Sequence, residues 1–293
     1  MEFNYQRFEA AYQVVKLCSP ESPPIPVGGL HVFETVPSTN QTTWELAEQD
    51  APAGTVVIAL TQTAGRGQWG RQWSSPVGGL YMSVLLSLDL PVEYSAQLTL
   101  CTAWGMAKAL RDIPGQLSSA NAQIPVRVKW LNDLVLEGRK LGGILTETRI
   151  RQERITRAVV GVGLNWLNPV PETGINLKSY LENLETPLIE SLEMLAAITL
   201  DGLLTGYHYW QEKGIDALLS AYLELLNGRD RPITLDGRFA TITGVTSTGA
   251  LRVQLQPLVP NAARVSQPAF DPSTAEILIK PGTISLGYGT RSD

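Results

Sequence analysis

Histidine, cysteine and long apolar runs are all scarce in this chain, and each shortage excludes a class of site or protein. Only two histidines, His31 and His208, stand in 293 residues. So few imidazoles argue against a histidine-rich metal centre and against a Ser-His-Asp catalytic triad. The two cysteines, Cys18 and Cys101, form no CxxC pair, and we interpret them as reduced thiols of a cytosolic protein.

The sequence also lacks the usual features of membrane, secreted and nucleic-acid-binding proteins. No run reaches the roughly 18 apolar residues that a membrane span needs, and the charged N-terminus has no apolar signal-peptide core. The formal net charge of −5 disfavours binding to nucleic acid. With 44% hydrophobic and 17% charged residues, the chain is predicted to be globular, soluble and cytoplasmic.

The distribution of prolines and of helix-like and strand-like segments divides the chain into three regions. Residues 1–29 combine a short helix with a linker that holds four prolines, and this piece is too short for a DNA-binding domain of about three helices. Residues 30–228 mix strand-like and helix-like segments. Residues 229–293 are predicted to form a small β-barrel of short strands and turns. Within it, residues 256–274 hold four prolines and are interpreted as a surface insertion.

The central region is predicted to contain both buried strands and helices. Strands are expected at residues 30–36, 55–61, 80–88, 125–130 and 158–164. Helices are expected after an N-cap at Ser38 or Thr39, across residues 95–111, and as two amphipathic helices around Leu192 and Leu218.

The first candidate binding segment is a glycine-rich loop over residues 62–73, QTAGRGQWGRQW. Gly65, Gly67 and Gly70 fit the G-x-G-x-x-G pattern of dinucleotide-binding proteins, but that motif requires a helix to begin at the glycines. Here Ser-Ser-Pro follows at residues 74–76 and would stop such a helix. We therefore reject the dinucleotide interpretation.

Without a helix, this segment is a cationic loop suited to anions. Glycine lets backbone N–H groups turn inward and form an anion-binding concavity. Arg66 and Arg71 supply planar donors for phosphate or carboxylate oxygens, and Trp69 and Trp73 offer aromatic faces. The alternative is a solvated hairpin with incidental charges.

The second candidate segment covers residues 129–147, KWLNDLVLEGRKLGGILTE. A strand is predicted to end near Asp133, and a short loop at residues 137–139 would return Lys140 towards Lys129 and Asp133. Two ammonium groups and a carboxylate suit phosphoryl-group chemistry, because the lysines neutralise charge at phosphorus and the carboxylate holds Mg²⁺ or orients an amine. The alternative is an ordinary surface hairpin.

Glycines within strands mark places where a ligand could lie against bare backbone. Gly142 and Gly143 are such a pair. The run VVGVGLN at residues 159–165 has two more, and Asn165 at its end could bond a ribose or a base. Close packing explains the glycines of this third segment equally well.

Taken in order, these segments resemble the biotin protein ligases, also called biotin–[acetyl-CoA-carboxylase] ligases. The resemblance covers roughly residues 31–290 and is closest to members without an N-terminal DNA-binding domain. Several ordered motifs are more specific than one glycine pattern. They are STNQ at 38–41, QTAGRG…GR.W.SP.GGLY.S at 62–83, KW.ND and KLGGIL.E within 129–147, G.G.N at 161–165, and RP…ISL in the barrel.

The resemblance implies an α+β fold and a two-step reaction. The fold would be a class II aminoacyl-tRNA-synthetase-like catalytic domain, with a mixed sheet flanked by helices, followed by a small SH3-like β-barrel. Biotin carboxylate would attack the α-phosphate of Mg²⁺-bound ATP, giving biotinyl-5′-AMP and pyrophosphate. A lysine of the biotin carboxyl carrier protein of acetyl-CoA carboxylase would then attack the mixed anhydride, so no enzyme nucleophile is needed.

The resemblance also assigns roles to residues. The catalytic residues would be Lys140, Arg66, Asp133 and Lys129, with Lys140 bridging the biotin carboxylate and the α-phosphate. The biotin-binding residues would be Ser38, Thr39, Asn40, Gln62, Gly65, Arg66, Gly67, Gln68, Lys140, Gly142 and Gly143. The nucleotide-binding residues would be Arg66, Arg71, Trp73, Lys129, Asn132, Asp133, Lys140 and Asn165.

Three positions depart from the family pattern. Gln68 stands where the loop commonly has arginine, which predicts weaker retention of the adenylate. Leu131 replaces a proline, with a small expected effect on the turn. Gly287 follows ISL where a basic residue is common, so a barrel contribution to phosphate binding is in doubt.

Other functions compete with this interpretation. A lipoate or octanoate ligase shares the domain but would need a longer apolar tunnel. A biotin-sensing transcriptional regulator would need a DNA-binding domain and a more basic chain. A non-enzymatic scaffold would leave Lys129, Asp133 and Lys140 without a purpose. The sequence is compatible with a monomer or a homodimer.

Overall fold

The protein has two sheets of different size, seen here in a computed structural model. The described residues are 2–19, 28–117, 123–182, 189–229, 232–235, 238–256, 276–284 and 287–288. A seven-stranded mixed sheet with helices on its faces is joined to a four-stranded antiparallel sheet. The predicted α+β class, with a flanked mixed sheet and a small C-terminal sheet, is confirmed.

Helices and strands are mixed along the chain as far as residue 225, and the described elements after it are all strands. The helices are α1 (Tyr5–Cys18), α2 (Thr39–Glu48), α3 (Ala96–Leu117), α4 (Leu177–Leu181) and α5 (Leu192–Leu225). The large sheet contains β1 (Leu30–Val36), β2 (Val56–Gln62), β3 (Leu80–Pro91), β4 (Arg127–Lys129), β5 (Asp133–Leu136), β6 (Arg139–Arg151) and β7 (Arg154–Leu164). The small sheet contains β8 (Pro232–Leu235), β9 (Arg238–Val245), β10 (Leu251–Leu255) and β11 (Glu276–Ile279).

The large sheet has the strand order β1-β2-β3-β7-β6-β5-β4. Strands β1 and β2 are parallel, and the other neighbours are antiparallel. This order places the two glycine-bearing strands, β6 and β7, side by side near the middle. Their register sets Gly143 opposite Gly163 and Leu145 opposite Gly161. Part of the sheet surface is therefore bare backbone.

The middle strands are buried on both faces, as their nearly continuous apolar sequences require. Val84 and Val160 pair in register and belong to the main core. Their neighbours Leu85 and Val159 point the other way and form a second cluster with Trp44 of α2. Helices α3 and α5 thus cover one face, and α2 covers the other.

Helices α3 and α5 approach each other closely because glycines line their contact. A Cβ at Gly105 would lie 2.2 Å from the carbonyl oxygen of Gly202. A Cβ at Gly206 would lie 2.1 Å from the carbonyl oxygen of Cys101. Since backbone fills this space, no side chain fits at these positions without moving a helix.

The helices match the sequence expectations with two differences. Helix α1 is present, and its buried face packs on α5 and α3. The two predicted amphipathic helices follow one another within α5, which is interrupted at Gly214 (φ 77°, ψ 178°). Leu188, which precedes Leu192 at a helical spacing of four and belongs to the same predicted helix, lies outside the described residues. Helix α4 was not predicted, because five residues are too few to show a helical period.

The hairpin after β4 contains one more strand than predicted. No element was predicted for residues 134–136, but Asp133–Leu136 forms β5, which pairs with both β4 and β6. The β5–β6 turn has positive φ at Glu137 (50°) and Gly138 (74°). Two central residues with positive φ are typical of a tight two-residue hairpin.

The small sheet runs β11-β10-β9-β8 and contains four of the predicted barrel strands. The last strand predicted for residues 229–293, TISL at residues 283–286, extends beyond the described residues, as do most of the linker at 19–29 and of the insertion at 256–274. Closure into an SH3-like barrel and the boundaries at residues 29 and 228 therefore remain predictions. Both cysteines are free thiols, as expected. Across the described ranges, no helix is long and apolar enough to cross a membrane.

Candidate active site

A cavity lies where five parts of the fold meet: the start of α2, the glycine-rich loop, the β4–β5–β6 hairpins, β7 and the segment around residues 281–288. Most of the residues predicted from the motifs line it. These are Ser38, Thr39, Asn40, Gln62, Arg66, Gly67, Gln68, Arg71, Trp73, Lys129, Asn132, Asp133, Lys140 and Gly143.

The glycine-rich loop is a tight hairpin rather than the start of a helix. Arg66 and Gln72 form an isolated antiparallel bridge, and a single 3-10 turn occupies Gln68–Gly70 between them. Trp69 (φ 60°) and Gly70 (φ 72°) both adopt left-handed backbone. This geometry confirms the rejection of a dinucleotide fingerprint, which would need an α-helix here.

One group of lining side chains is uncharged and linked by hydrogen bonds. Thr39 donates to Gln62 Oε1 from its backbone nitrogen (2.8 Å) and from its hydroxyl (3.2 Å). Gln62 Nε2 donates to Ser75 Oγ at 2.8 Å, and Ser75 in turn donates to the Trp73 carbonyl at 3.0 Å. The first turn of α2 is thereby tied to the end of β2 and to the loop that follows.

A second group of lining side chains is charged. Lys140 Nζ lies 2.8 Å from Asp133 Oδ1, so the hairpin returns Lys140 to Asp133 as the sequence predicted. The Lys129 ammonium sits 3.4 Å from the centroid of the Tyr288 ring, and the Tyr288 hydroxyl donates to the second carboxylate oxygen of Asp133. Lys129, Asp133, Lys140 and Tyr288 thus form one cluster.

Lys129 is buried, with 8% of its surface exposed. Burial lowers the pKa of its ammonium from 10.5 to about 8, and the positive charges of Lys140 and Arg71 act in the same direction. The Asp133 carboxylate opposes this shift. An anion bound beside Lys129 would favour the charged ammonium and raise this pKa again, so the residue is suited to binding negative groups.

Trp73 lines the cavity and packs against β7 at Gly163, where the strand has no side chain. Its indole ring fills the space that a Cβ at Gly163 would need, with Nε1 2.4 Å from that position. The Lys140 ammonium lies 5.2 Å from a Trp73 ring centroid. Among the described residues, nothing accepts a hydrogen bond from the buried Nε1 of Trp73.

Three of the predicted residues lie outside the cavity lining. Gly65 is enclosed by the Trp73 carbonyl and Ser75, and a Cβ at Gly142 would meet Leu164 of the neighbouring strand at 2.4 Å. Asn165 is buried and donates to the Lys140 carbonyl at 3.3 Å. These residues support the loop and β6 from behind.

Three residues at or behind the cavity wall had no assigned role. Ser83, inside the apolar run of β3, contacts Thr39 and Asn40. Glu147 pairs with Arg66. Tyr288 caps Lys129 from the C-terminal segment. A polar residue within an apolar strand is a signal that could have revealed Ser83, whereas the contacts of Tyr288 depend on the tertiary fold.

Comparisons with known proteins agree with this geometry. A sequence model of the Biotin/lipoate A/B protein ligase family matches residues 32–165. The Bifunctional ligase/repressor BirA of Bacillus spizizenii is 38% identical over 142 residues, which cover 47% of this chain and 41% of that protein. This chain therefore spans less than half the length of that relative.

A longer match and a solved structure extend the comparison. The Bifunctional ligase/repressor BirA of Salmonella typhimurium is 31% identical over 233 residues, covering 78% of this chain and 70% of that protein. The Biotin protein ligase from Aquifex aeolicus, solved in complex with biotin and ATP, superposes with a TM-score of 0.60 at 22% identity. That superposition covers 78% of this chain and 95% of the other, and it establishes the likeness of fold.

Proposed function

Because the chain belongs to the biotin/lipoate A/B protein ligase family, we propose that it is an ATP-dependent biotin protein ligase. One observation carries the proposal: a single cavity joins a hydrogen-bonded wall of amides and hydroxyls to a cluster of cations. Biotin has the matching parts, a cyclic urea with polar edges and a carboxylate tail. The Salmonella relative is named a ligase/repressor, and the Aquifex structure is a biotin protein ligase in complex with biotin and ATP.

The uncharged wall would bind the urea ring. Thr39, Asn40 and Gln62 offer both donors and acceptors there. Hydrogen bonds between Thr39 and Gln62, and from Asn40 to Glu147 and the Leu145 carbonyl, hold them in place before the ligand arrives. Ser38, Gly67, Gln68 and Gly143 would complete the contacts to biotin. Preorganised polar groups lower the entropy lost on binding.

The cationic cluster would serve the first chemical step. A biotin carboxylate oxygen would attack the α-phosphorus of ATP, and pyrophosphate would leave. Lys140 would neutralise charge on the carboxylate and on the α-phosphate, while Lys129, Arg66 and Arg71 would attract the phosphates. Asp133 holds the Lys140 ammonium at 2.8 Å and so fixes its position for that role.

The second step would again use the carboxylate of Asp133. The amine of an acceptor lysine would attack the biotinyl carbonyl carbon, and AMP would leave with the bridging oxygen. Asp133 would orient that amine by accepting one of its hydrogens. Trp73 and Asn132 would lie beside the nucleotide, and Asn165 would brace the Lys140 backbone.

Mg²⁺ fits this site as a companion of the nucleotide. Mg²⁺ is usually bound through one or two carboxylates together with substrate phosphates. Within the described ranges, no group of three or more His, Cys, Asp or Glu side chains is placed to hold a metal ion, and Asp133 is the carboxylate in the cavity lining. Asp133 would therefore supply the protein ligand and the phosphates most of the others.

The macromolecular partner would be the biotin carboxyl carrier protein of acetyl-CoA carboxylase, whose lysine receives the biotinyl group. We assign the catalytic work to residues 30–228, with residues 229–293 as an accessory domain that reaches the site through Tyr288. The first 29 residues would contribute α1 to the core.

Exchange of radiolabelled pyrophosphate into ATP, measured with one carboxylic acid substrate at a time, tests the activation step by itself. We expect exchange with biotin and none with lipoate or octanoate. Exchange with lipoate alone would transfer the assignment to the lipoate branch of the family, and no exchange with any of these acids would refute the adenylation step.

A further inference from the structure

Glu147 is a charged residue beside the cavity to which the proposed chemistry gives no task. It lies on β6, with 24% of its side chain exposed, and is not among the residues that line the cavity. Its two carboxylate oxygens nevertheless contact two side chains that do line it, Arg66 and Asn40. Glu147 thus stands directly behind the wall that would receive the urea ring.

The contact with Arg66 is bidentate. Arg66 Nη1 lies 2.9 Å from Glu147 Oε1, and Arg66 Nη2 donates to Oε2 at 3.0 Å. Two parallel charge-assisted bonds fix both the position and the plane of a guanidinium. The hairpin loop that carries Arg66 is therefore anchored to the large sheet at this point.

The contact with Asn40 fixes the direction of an amide. Asn40 Nδ2 donates to Glu147 Oε2 at 3.0 Å and to the Leu145 carbonyl at 3.3 Å. Both neighbours can only accept hydrogen bonds, so the NH₂ group must point at them and Oδ1 must point the other way. This orientation of Asn40 requires glycine at position 161, because a Cβ there would lie 2.0 Å from Asn40 Oδ1 and would clash with it.

The amide oxygen that Glu147 orients, Asn40 Oδ1, has acceptor capacity to spare. Ser83 Oγ lies 2.7 Å from Asn40 Oδ1 and 2.8 Å from Thr39 Oγ1, but a hydroxyl has one proton and can serve one of them. The Thr39 hydroxyl proton is itself directed to Gln62 Oε1. When Ser83 donates to Thr39, Asn40 Oδ1 is left able to accept from a ligand, and both Asn40 and Gly161 beside it line the cavity.

We propose that Glu147 is a positioning residue for acid recognition: it locks Asn40 so that its carbonyl oxygen faces the cavity and accepts an N–H of the ligand's head group. This inference rests on the proposed function and gives it a basis for selectivity. The urea ring of biotin carries two N–H donors. The dithiolane of lipoate and the chain of octanoate carry none, so they would leave this acceptor unpaired.

The test is calorimetric titration of biotin, without ATP, into the full chain and four variants. Glu147→Gln preserves shape but places an NH₂ group where acceptors are needed, and we expect a rise in Kd of about tenfold, the usual effect of losing a hydrogen bond to a charged group. Asn40→Asp alone sets two carboxylates against each other and should weaken binding further. The double variant Asn40→Asp/Glu147→Gln exchanges donor and acceptor, and it should bind at least tenfold better than Asn40→Asp.

The fourth variant, Glu276→Gln, is a matched control. Glu276 forms a comparable two-point ion pair with Arg252 (2.8 and 3.1 Å) in the small sheet, so its loss should leave biotin binding unchanged. Melting temperatures of all variants show whether a change in Kd reflects unfolding.

Two results would overturn the inference: a Glu147→Gln variant within twofold of the unmodified chain, or an exchange variant no better than Asn40→Asp. If the unmodified chain itself fails to bind biotin, the proposed function fails instead. The two failures are therefore distinguishable.

Discussion

At the residue scale, Lys140 carries the largest share of the proposed chemistry. Its ammonium is paired with Asp133 and faces the cavity together with Trp73. Lys140→Ala should lower the rate of adenylate formation at least a hundredfold, because the proposal places this ammonium between the carboxylate and the α-phosphate, where charge develops. Pyrophosphate release measures this rate.

The matched control for that substitution is Lys108→Ala. Lys108 is an exposed lysine paired with Asp112 on α3, and its removal should leave pyrophosphate release intact. Near-normal turnover by Lys140→Ala, at an unchanged melting temperature, would move the catalytic role to another residue.

Lys129 should make stability depend on pH in alkaline solution. Its pKa is about 8 in the folded chain, against 10.5 for an ordinary lysine. The unfolded chain binds more protons between these values, so the free energy of unfolding should rise as pH increases from 8 to 10.5. Below pH 8 the full penalty of burying the charge applies.

Replacement of this lysine by an apolar residue of similar length should remove that dependence. Lys129→Met is expected to be more stable than the unmodified chain at pH 7 and to lose the advantage near pH 10, while its turnover falls. Urea denaturation at pH 7 and pH 10 measures the two stabilities. An equal or lower stability at pH 7 would show that the ring of Tyr288 and the carboxylate of Asp133 already compensate the buried charge.

Gln68 should determine how tightly the activated intermediate is held. It lies at the tip of the hairpin loop and lines the cavity, at a position where the family commonly has arginine. Gln68→Arg should reduce the amount of biotinyl-5′-AMP found free in solution when no acceptor is present. Mass spectrometry of the protein-free filtrate gives this amount, and equal release from the two proteins would contradict the assigned role.

At the scale of elements, the contact between α3 and α5 fixes how closely these two helices pack on one face of the large sheet. Gly105→Ala would place a methyl group 2.2 Å from the Gly202 carbonyl oxygen, so the helices must separate. We expect a loss of about 2 kcal/mol in the free energy of unfolding, measured by chemical denaturation. Gly244→Ala is the control, because the nearest atom would lie at an ordinary 3.4 Å; equal losses would mean that close helix packing is not the cause.

The hairpins explain why some site residues were predictable from sequence. Lys129, Asp133 and Lys140 lie within twelve positions of one another, and a turn signal between them was sufficient to bring them together. Gly142 lies outside the cavity lining whereas Gly143 is part of it, and the sequence could not distinguish them because the choice of face depends on register, which pairs Gly142 with Leu164. Strand β5 was not predicted for a different reason, since four residues show little periodicity.

At the scale of the whole molecule, the site depends on contacts that span both sheets. Trp130 Nε1 donates to the Gly249 carbonyl at 2.9 Å, and Gln97 Nε2 donates to the Ser247 carbonyl at 3.0 Å. Trp69 at the loop tip packs where a Cβ of Gly282 would be, 2.4 Å from its ring. Such contacts join distant parts of the chain, so local patterns could not predict them. The motifs, in contrast, predicted the overall α+β arrangement.

The central claim is that this chain transfers biotin to a protein lysine. The most direct test is intact-mass analysis of an apo biotin carrier domain incubated with the protein, Mg²⁺, ATP and either biotin or lipoate. The account predicts one biotinyl adduct on the carrier lysine, dependent on ATP, and no lipoyl adduct. A carrier that gains no mass with biotin, or gains only a lipoyl group, would contradict it.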